Sequence, residues 1–355
     1  MSAPVLIMAG GTGGHIFPGI AVARELAARG IPVVWLGGRG GLEAGLVPAA
    51  GIRLEAIDFA GVRGKGWATL VLAPLRLARA VFAARRVLAA IAPRSVLSMG
   101  GYAAAPGGIA ARLARIPLVV HEQNRVAGFT NRLLARLAQR VLGGFAEVLP
   151  AAEWVGNPVR AEIAALAPPG ERAGGRGAAL HVLVLGGSQG AASLNTQLPR
   201  VFQRRGSALA LDIRHQCGSR HVDKARAAYA QTGIEASVEP FIDDMAAAYA
   251  WADLVICRAG ALTIAELCAA GVASILVPFP AAVDDHQTRN AEVMVAAGAA
   301  RLVAEGDDFV PRLGRELDEL ARERTPLTGM AEAARRLARP QAAARIADVC
   351  LEVAA

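Results

Sequence analysis

Short apolar runs alternate along this chain with longer stretches in which apolar residues return every three or four positions. In the first half the runs fall at residues 4–9 (PVLIMA), 33–37 (VVWLG), 54–57, 96–98 and 118–120. They are too short for helices and rich in aliphatic residues, so they predict parallel strands covered on both faces. Between them, stretches such as 16–29 and 107–113 predict helices. The pattern then repeats, with strands predicted at 181–185, 210–215, 236–239, 254–257 and 274–277 and helices at 262–270 and 288–297. The last stretch, 330–353, carries Ala, Leu and Arg at helical spacing. Strand and helix in alternation mean an α/β protein of parallel sheets with helices on both faces. A chain of 355 residues is too long for one ordinary core, and the polar, glycine-rich segment 168–177 closes the first half. The expected architecture is two Rossmann-like, doubly wound domains facing a central cleft, residues 1–158 and 159–336. A C-terminal helix over about 337–355 is available to pack back on the first domain.

The first strand of each half ends in clustered glycines, GGTGGH at 10–15 and GGSQGA at 186–191. Glycines let the chain turn sharply and a ligand come close, and the helix N-terminus behind such a turn favours a diphosphate. A tight turn with no ligand accounts for either one alone. Two in register point to nucleotide-type binding.

Hydrophobic residues make up 54% of the chain and charged ones 19%, which excludes disorder. No apolar stretch reaches the roughly 18 uncharged residues of a membrane span, and the start lacks the basic region of a signal peptide, so a cytosolic protein is expected. Cys217, Cys257, Cys268 and Cys350 have neither metal-type nor disulfide-type spacing. The formal net charge is +8, yet residues 59–146 hold thirteen basic side chains against the single acid Glu122. Arginine-rich composition does not explain why acids are missing from that stretch alone.

Seven motifs follow one another over nearly the whole chain: GGTGGHIFPG (10–19), MGGY (99–102), HEQN with AGFTNR (121–124 and 127–132), GNPVR (156–160), GGSQGA (186–191), CRAGALTIAE (257–266) and VDDHQTRNA (283–291). Together they closely resemble the MurG family, bacterial transferases that add N-acetylglucosamine to the lipid-linked muramyl-pentapeptide precursor of peptidoglycan. The resemblance implies an inverting GT-B glycosyltransferase in peptidoglycan synthesis, peripheral on the cytoplasmic face of the inner membrane. It places UDP-GlcNAc on the C-terminal domain and undecaprenyl-diphospho-MurNAc-pentapeptide, with its C4 hydroxyl as acceptor, on the N-terminal one.

Carried over by motif, Glu266 is the ribose ligand, reached through the first helical turns Ala261, Leu262, Thr263, Ile264 and Ala265. Ser188 and Arg160 would meet the diphosphate, the backbone at Ile242 the uracil edge, and Gln287 and Asn124 the donor sugar. Thr12, Gly13 and Gly14 bind substrate at the first glycine turn. One departure is visible: a His-Ala pair commonly precedes VDDHQ in the family, and Ala281-Ala282 stand there here.

The acceptor hydroxyl needs a base. His15, beside a helix N-terminus that favours its neutral form, is one candidate, and Glu122 is the other. Asp243-Asp244 and Asp284-Asp285 are adjacent pairs rather than Asp-x-Asp, so no metal site and no obligatory cofactor are expected, and helix N-termini with arginine stabilise the departing UDP. Residues 67–90 join Trp67, Leu70, Leu75 and Phe82 to Arg76, Arg79, Arg85 and Arg86, with Pro74 starting or kinking the helix. Such a face suits an anionic membrane surface, although a buried amphipathic helix shares the pattern. Nucleic acid is not expected, since aromatic residues are not interleaved with the basic ones. A nicotinamide oxidoreductase would want a third glycine and an acid ending the second strand, and neither is present. A UDP-GlcNAc epimerase of the same fold needs no basic apolar face, and a membrane scaffold leaves the glycine turns unused.

Overall fold

The computed structural model describes residues 2–59, 72–172, 179–187, 190–205, 210–322 and 324–354. The chain divides into two compact units, Met1–Val159 with Arg339–Ala355, and Arg160–Ala338.

The first unit holds seven strands, β1 (Val5–Ala9), β2 (Val33–Gly38), β3 (Arg53–Ile57), β4 (Ser95–Gly100), β5 (Leu118–Glu122), β6 (Arg140–Gly143) and β7 (Glu153–Trp154). They form one sheet in the order β3-β2-β1-β4-β5-β6-β7, parallel throughout. Its described helices are α1 (Gly13–Ala28), α2 (Glu43–Ala49), α3 (Ala73–Ile91), α4 (Ala104–Leu113) and α5 (Phe129–Ala135). Every side chain of β1 is fully buried, because the strand is central and covered on both faces. Its period of two splits the core: Val5, Ile7 and Ala9 pack with Ile16 and Ile20 of α1, while Leu6 and Met8 pack with Ala84 and Leu88 of α3 and Ala110 of α4. Each such Val, Leu, Ile or Met side chain stabilises the fold by roughly 1.5–3 kcal/mol relative to exposure. The Trp35 ring packs against α1 at Gly19, where a side chain would collide with it, and its Nε1 donates to the Ala9 carbonyl at 3.0 Å.

The second unit repeats the plan. Its helices are α6 (Ala161–Ala164), α7 (Pro169–Arg172), α8 (Ala192–Arg205), α9 (Val222–Thr232), α10 (Met245–Trp251), α11 (Ala261–Ala270), α12 (His286–Ala296), α13 (Phe309–Arg322) and α14 (Thr325–Leu337). Its strands are β8 (Leu180–Leu185), β9 (Leu211–Gln216), β10 (Ser237–Glu239), β11 (Leu254–Cys257), β12 (Ala273–Leu276) and β13 (Ala300–Leu302), in the order β10-β9-β8-β11-β12-β13 and again all parallel. Strand for strand this is the order of the first six strands of the other sheet. In both, the crossover direction reverses beside the first strand, the point at which sheets of this kind bind ligands beyond the strands' carboxyl ends.

The stretch 330–353, at helical spacing throughout, belongs to two helices. Pro340 cannot continue the helical hydrogen bonding and pushes the preceding residues to extended geometry, so α14 ends at Leu337 and α15 (Ala342–Glu352) begins after it. α14 buries Met330 and Ala334 in the second unit. α15 packs on α1 and β4 of the first, where Ser95 Oγ donates to the Cys350 carbonyl at 2.7 Å and Arg345 pairs with Glu153 at 2.7 Å. The short strands β6, β7 and β13 lie toward sheet edges and have no apolar run to announce them.

Candidate active site

In the first unit, the ends of β1, β4 and β5 bring three motifs together. Gly11, at φ +91°, turns the chain out of β1, and Thr12 in extended geometry caps α1. The Thr12 hydroxyl lies 3.1 Å from His15 Nδ1 and so helps to orient the imidazole. The first-turn amides of Gly13 and Gly14 have no partner inside the helix. His15 lies across Gly100, whose absent Cβ would stand 3.1 Å from both the imidazole and the amide nitrogen of Asn131. Gly101, at φ +85°, lets the loop after β4 press against the Gly10 carbonyl, where any side chain would collide.

Glu122, at the end of β5, is 2% exposed. Its Oε1 accepts from the amide of Asn124 at 3.0 Å, and its Oε2 from the Gly128 amide at 3.1 Å and Asn131 Nδ2 at 2.9 Å. Both oxygens are thus engaged in shaping the 122–131 loop, and amides rather than an arginine hold them. His121 is fully buried, donates from Nε2 to the Gly156 carbonyl at 2.9 Å and is pushed down to about 4 by burial, so it stays neutral.

In the second unit, Gly187 and Gly190, both at positive φ, shape the turn after β8. Ser188 lies outside the described residues. Gly260 caps α11, where Ala261 and Ile264 pack inward and Leu262, Thr263 and Ala265 lie part-exposed with Glu266. Glu266 is not a solvated helix acid. Arg160 holds its Oε1 through Nε and Nη2 at 3.1 and 2.9 Å, and the Tyr249 hydroxyl donates to Oε2 at 3.1 Å. Burial raises the Glu266 carboxyl above its ordinary range, while the Arg160 charge pulls the other way. Arg160, expected on the diphosphate, therefore sits on the carboxylate in this structure.

Ile242 has a buried side chain, and its peptide groups make no backbone hydrogen bond among the described residues. Gln287 Oε1 accepts from the Phe279 amide at 2.9 Å, leaving its NH2 group as the side available to a sugar. Arg258 is fully employed: it pairs with Glu305 at 2.7 Å and donates to Ser193 Oγ at 2.9 Å and to the carbonyls of Val277 and Pro278. Asp244 caps α10 by accepting from the Ala247 amide at 2.8 Å, and Asp285 accepts from the Thr288 hydroxyl. Among the described residues no three His, Cys, Asp or Glu side chains gather into a metal site.

Three residues of these sites went unread in the sequence. Glu43, fully buried, accepts from the amides of Gly38 and Gly11 at 3.0 and 3.2 Å and from the Tyr102 hydroxyl at 3.0 Å, tying three loops together. Burial, then the Glu43 bond, pushes the Tyr102 phenol up to about 12. The available signal was the run of glycines around Glu43: side chains at Gly10, Gly37 or Gly41 would collide with its carboxylate arm. Gln216 plays a comparable part in the second unit, accepting from the Gly187 amide at 3.0 Å and donating to the Gly187 carbonyl at 3.1 Å. Tyr249 carried no sequence signal, since an aromatic in an alanine-rich helix reads as core.

Two doubly wound domains, each with a glycine turn at its switch point, are the plan of a GT-B fold, and the family matches make it that of a glycosyltransferase. Residues 5–143 match the glycosyltransferase family 28 N-terminal domain and residues 181–346 the glycosyltransferase family 28 C-terminal domain. The chain belongs to glycosyltransferase family 28. It is 57% identical over 350 residues, 98% of this chain and 96% of the relative, to the UDP-N-acetylglucosamine--N-acetylmuramyl-(pentapeptide) pyrophosphoryl-undecaprenol N-acetylglucosamine transferase of Xylella fastidiosa (strain M12). The like-named protein of Xanthomonas campestris pv. campestris (strain 8004) is also 57% identical, over 99% of this chain and 82% of the relative. A crystal structure of Acinetobacter baumannii MurG superposes with a TM-score of 0.87 at 40% identity, covering 99% of this chain and 100% of that one.

Proposed function

We propose that this protein transfers N-acetylglucosamine from UDP-GlcNAc to the C4 hydroxyl of MurNAc in undecaprenyl-diphospho-MurNAc-pentapeptide, with inversion, at the cytoplasmic face of the inner membrane. The observation that carries this reading is the near full-length similarity, at 57% identity, to relatives named for that transfer. The acceptor lies along the first glycine turn, against the amides of Gly13 and Gly14. His15, held by Thr12 and part-exposed above Gly100, takes the hydroxyl proton. Glu122 acts through the loop it shapes, since both its oxygens are already bonded. Asn124, bonded to Glu122, is the donor-sugar contact from this loop. In the second unit Glu266 receives the ribose, Ile242 the uracil edge and Gln287 the sugar, while the amides at the start of α11 and Arg160 meet the diphosphate.

The membrane part of the reading rests on α3. Ala80, Ala84 and Leu88 face the core, but Leu72, Leu75 and Phe82 are 46, 58 and 65% exposed, on the same helix as exposed Arg76, Arg79, Arg85 and Arg86. No acidic side chain among the described residues pairs with these arginines. Leu113 of α4 is also 58% exposed, beside Arg112. Trp67 and Leu70 lie outside the described residues, and no helix among those described is long and apolar enough to cross a membrane.

The test is UDP release from UDP-GlcNAc with and without the lipid-linked acceptor. Release that depends on the acceptor is expected; equal release without it would make the protein a hydrolase. Glu266→Ala is expected to weaken UDP binding by about 10- to 100-fold, the loss of hydrogen bonds to a charged group. Unchanged affinity would remove Glu266 from the donor site.

A further inference from the structure

Glu266 is divided between a buried partner and a part-exposed one. Tyr249, which donates to Oε2, is fully buried at 0% exposure, and burial, reinforced by Glu266 and Cys257, holds its phenol well above the ordinary range, so it is a permanent donor. Arg160, which donates twice to Oε1, has a side chain 44% exposed and stands just before the single turn of α6. A carboxylate oxygen has two lone pairs, and both of those on Oε1 are taken by the guanidinium. A ribose that presents two hydroxyls to this carboxylate finds Oε2 with one lone pair left and Oε1 with none. The same guanidinium is the group that a diphosphate attracts most strongly, since it offers a planar fork to a multiply charged acceptor.

We propose that Tyr249 is a positioning residue that fixes the rotamer of Glu266, and that Arg160 closes Oε1 until a diphosphate draws it away. The site thereby accepts nucleoside diphosphates and disfavours bare nucleosides. This rests on the assignment of the donor to the second unit. A part-exposed ion pair is worth no more than about fivefold in affinity, whereas a charge-assisted contact to phosphate is worth more than tenfold. Exchange therefore runs downhill with UDP and uphill with uridine.

Calorimetric titration of the full chain with uridine, 2′-deoxyuridine and UDP at pH 8 tests both halves. Arg160→Met is expected to bind uridine up to about fivefold more tightly and UDP at least tenfold more weakly. Weaker binding of both would overturn the exchange. Arg160→Lys, which keeps the charge but not the fork, is expected to shift both affinities in the same directions by smaller factors, and serves should the Met variant not fold. Tyr249→Phe is expected to weaken uridine by about tenfold and to narrow its advantage over 2′-deoxyuridine. An unchanged advantage would overturn the positioning role. Wild-type protein that fails to bind UDP at all would show the donor assignment itself to be wrong, and the proposal would fall with it.

Discussion

His15 and Glu122 show how two equally chemical side chains are separated by their surroundings. Both stand where βα loops meet, yet Glu122 is 2% exposed with three amide groups directed at it, whereas His15, with the Thr12 hydroxyl at Nδ1, is part-exposed. A base must be reached by the group it deprotonates, which favours His15. His15→Ala is expected to lower kcat by about 10²- to 10⁴-fold and to leave the dissociation constant for UDP unchanged. Steady-state rates set beside direct UDP titration check this, and a matching loss of UDP affinity would recast His15 as a binding residue. Glu43 teaches a related lesson from the other side. Its carboxylate occupies space that only glycines at 10, 37 and 41 leave free, so much of what looks like ligand room in the glycine turn is filled by the protein itself.

Among the elements, α3 carries the clearest division of labour. Its small residues Ala80 and Ala84 let it lie close to the sheet, and that close packing turns Leu75 and Phe82 outward instead of hiding them. The amphipathic pattern alone fits a buried helix as well as a surface one, and tertiary packing decides which apolar residues the core uses. Reversing charge with Arg79→Glu, Arg85→Glu and Arg86→Glu together is expected to weaken binding to phosphatidylglycerol-containing vesicles by at least 100-fold, at about 1 kcal/mol for each lost attraction. Vesicle cosedimentation measures it. Activity on a water-soluble acceptor analogue is expected to persist, because none of the three touches the glycine turns. Vesicle binding that survives the reversal would sink the assignment of this face to the membrane.

At the scale of the molecule, each unit carries one fully buried neutral histidine. His121 is pushed down to about 4 by burial, against the opposing pull of the Gly156 carbonyl and Glu122, and His215 to about 3 by burial alone. In the neutral ring His215 Nε2 donates to Asn195 Oδ1 at 3.0 Å and Nδ1 accepts from the Tyr229 hydroxyl at 2.9 Å. An unfolded histidine titrates near about 6.5, so below that pH the unfolded chain takes up protons that the folded chain refuses. Stability is full above about pH 6.5 and falls as the pH drops toward 4, by on the order of a few kcal/mol for each ring. His215→Gln keeps a donor and an acceptor without the titration. It is expected to flatten the dependence of unfolding free energy on pH between 6 and 4.5 by up to about 1.4 kcal/mol per pH unit. Urea titrations across that range check it, and an unaltered slope would mean that His215 is charged in the fold.

The sequence by itself determined the alternation of strand and helix, the duplication of a glycine turn and the family, because period and turn chemistry are local and the motifs stand in linear order. It also placed His15 beside a helix N-terminus and Glu266 in the first turns of a helix. Only the tertiary structure decided that 330–353 is two helices serving different units, since a single proline sits between apolar patterns that read as continuous. Likewise, contacts distant in sequence decided that Arg160 holds Glu266, that Tyr249 completes the grip and that Glu43 fills the glycine cage. Those partners are brought together by crossovers of the sheet, and no local pattern records which side chains a crossover will join.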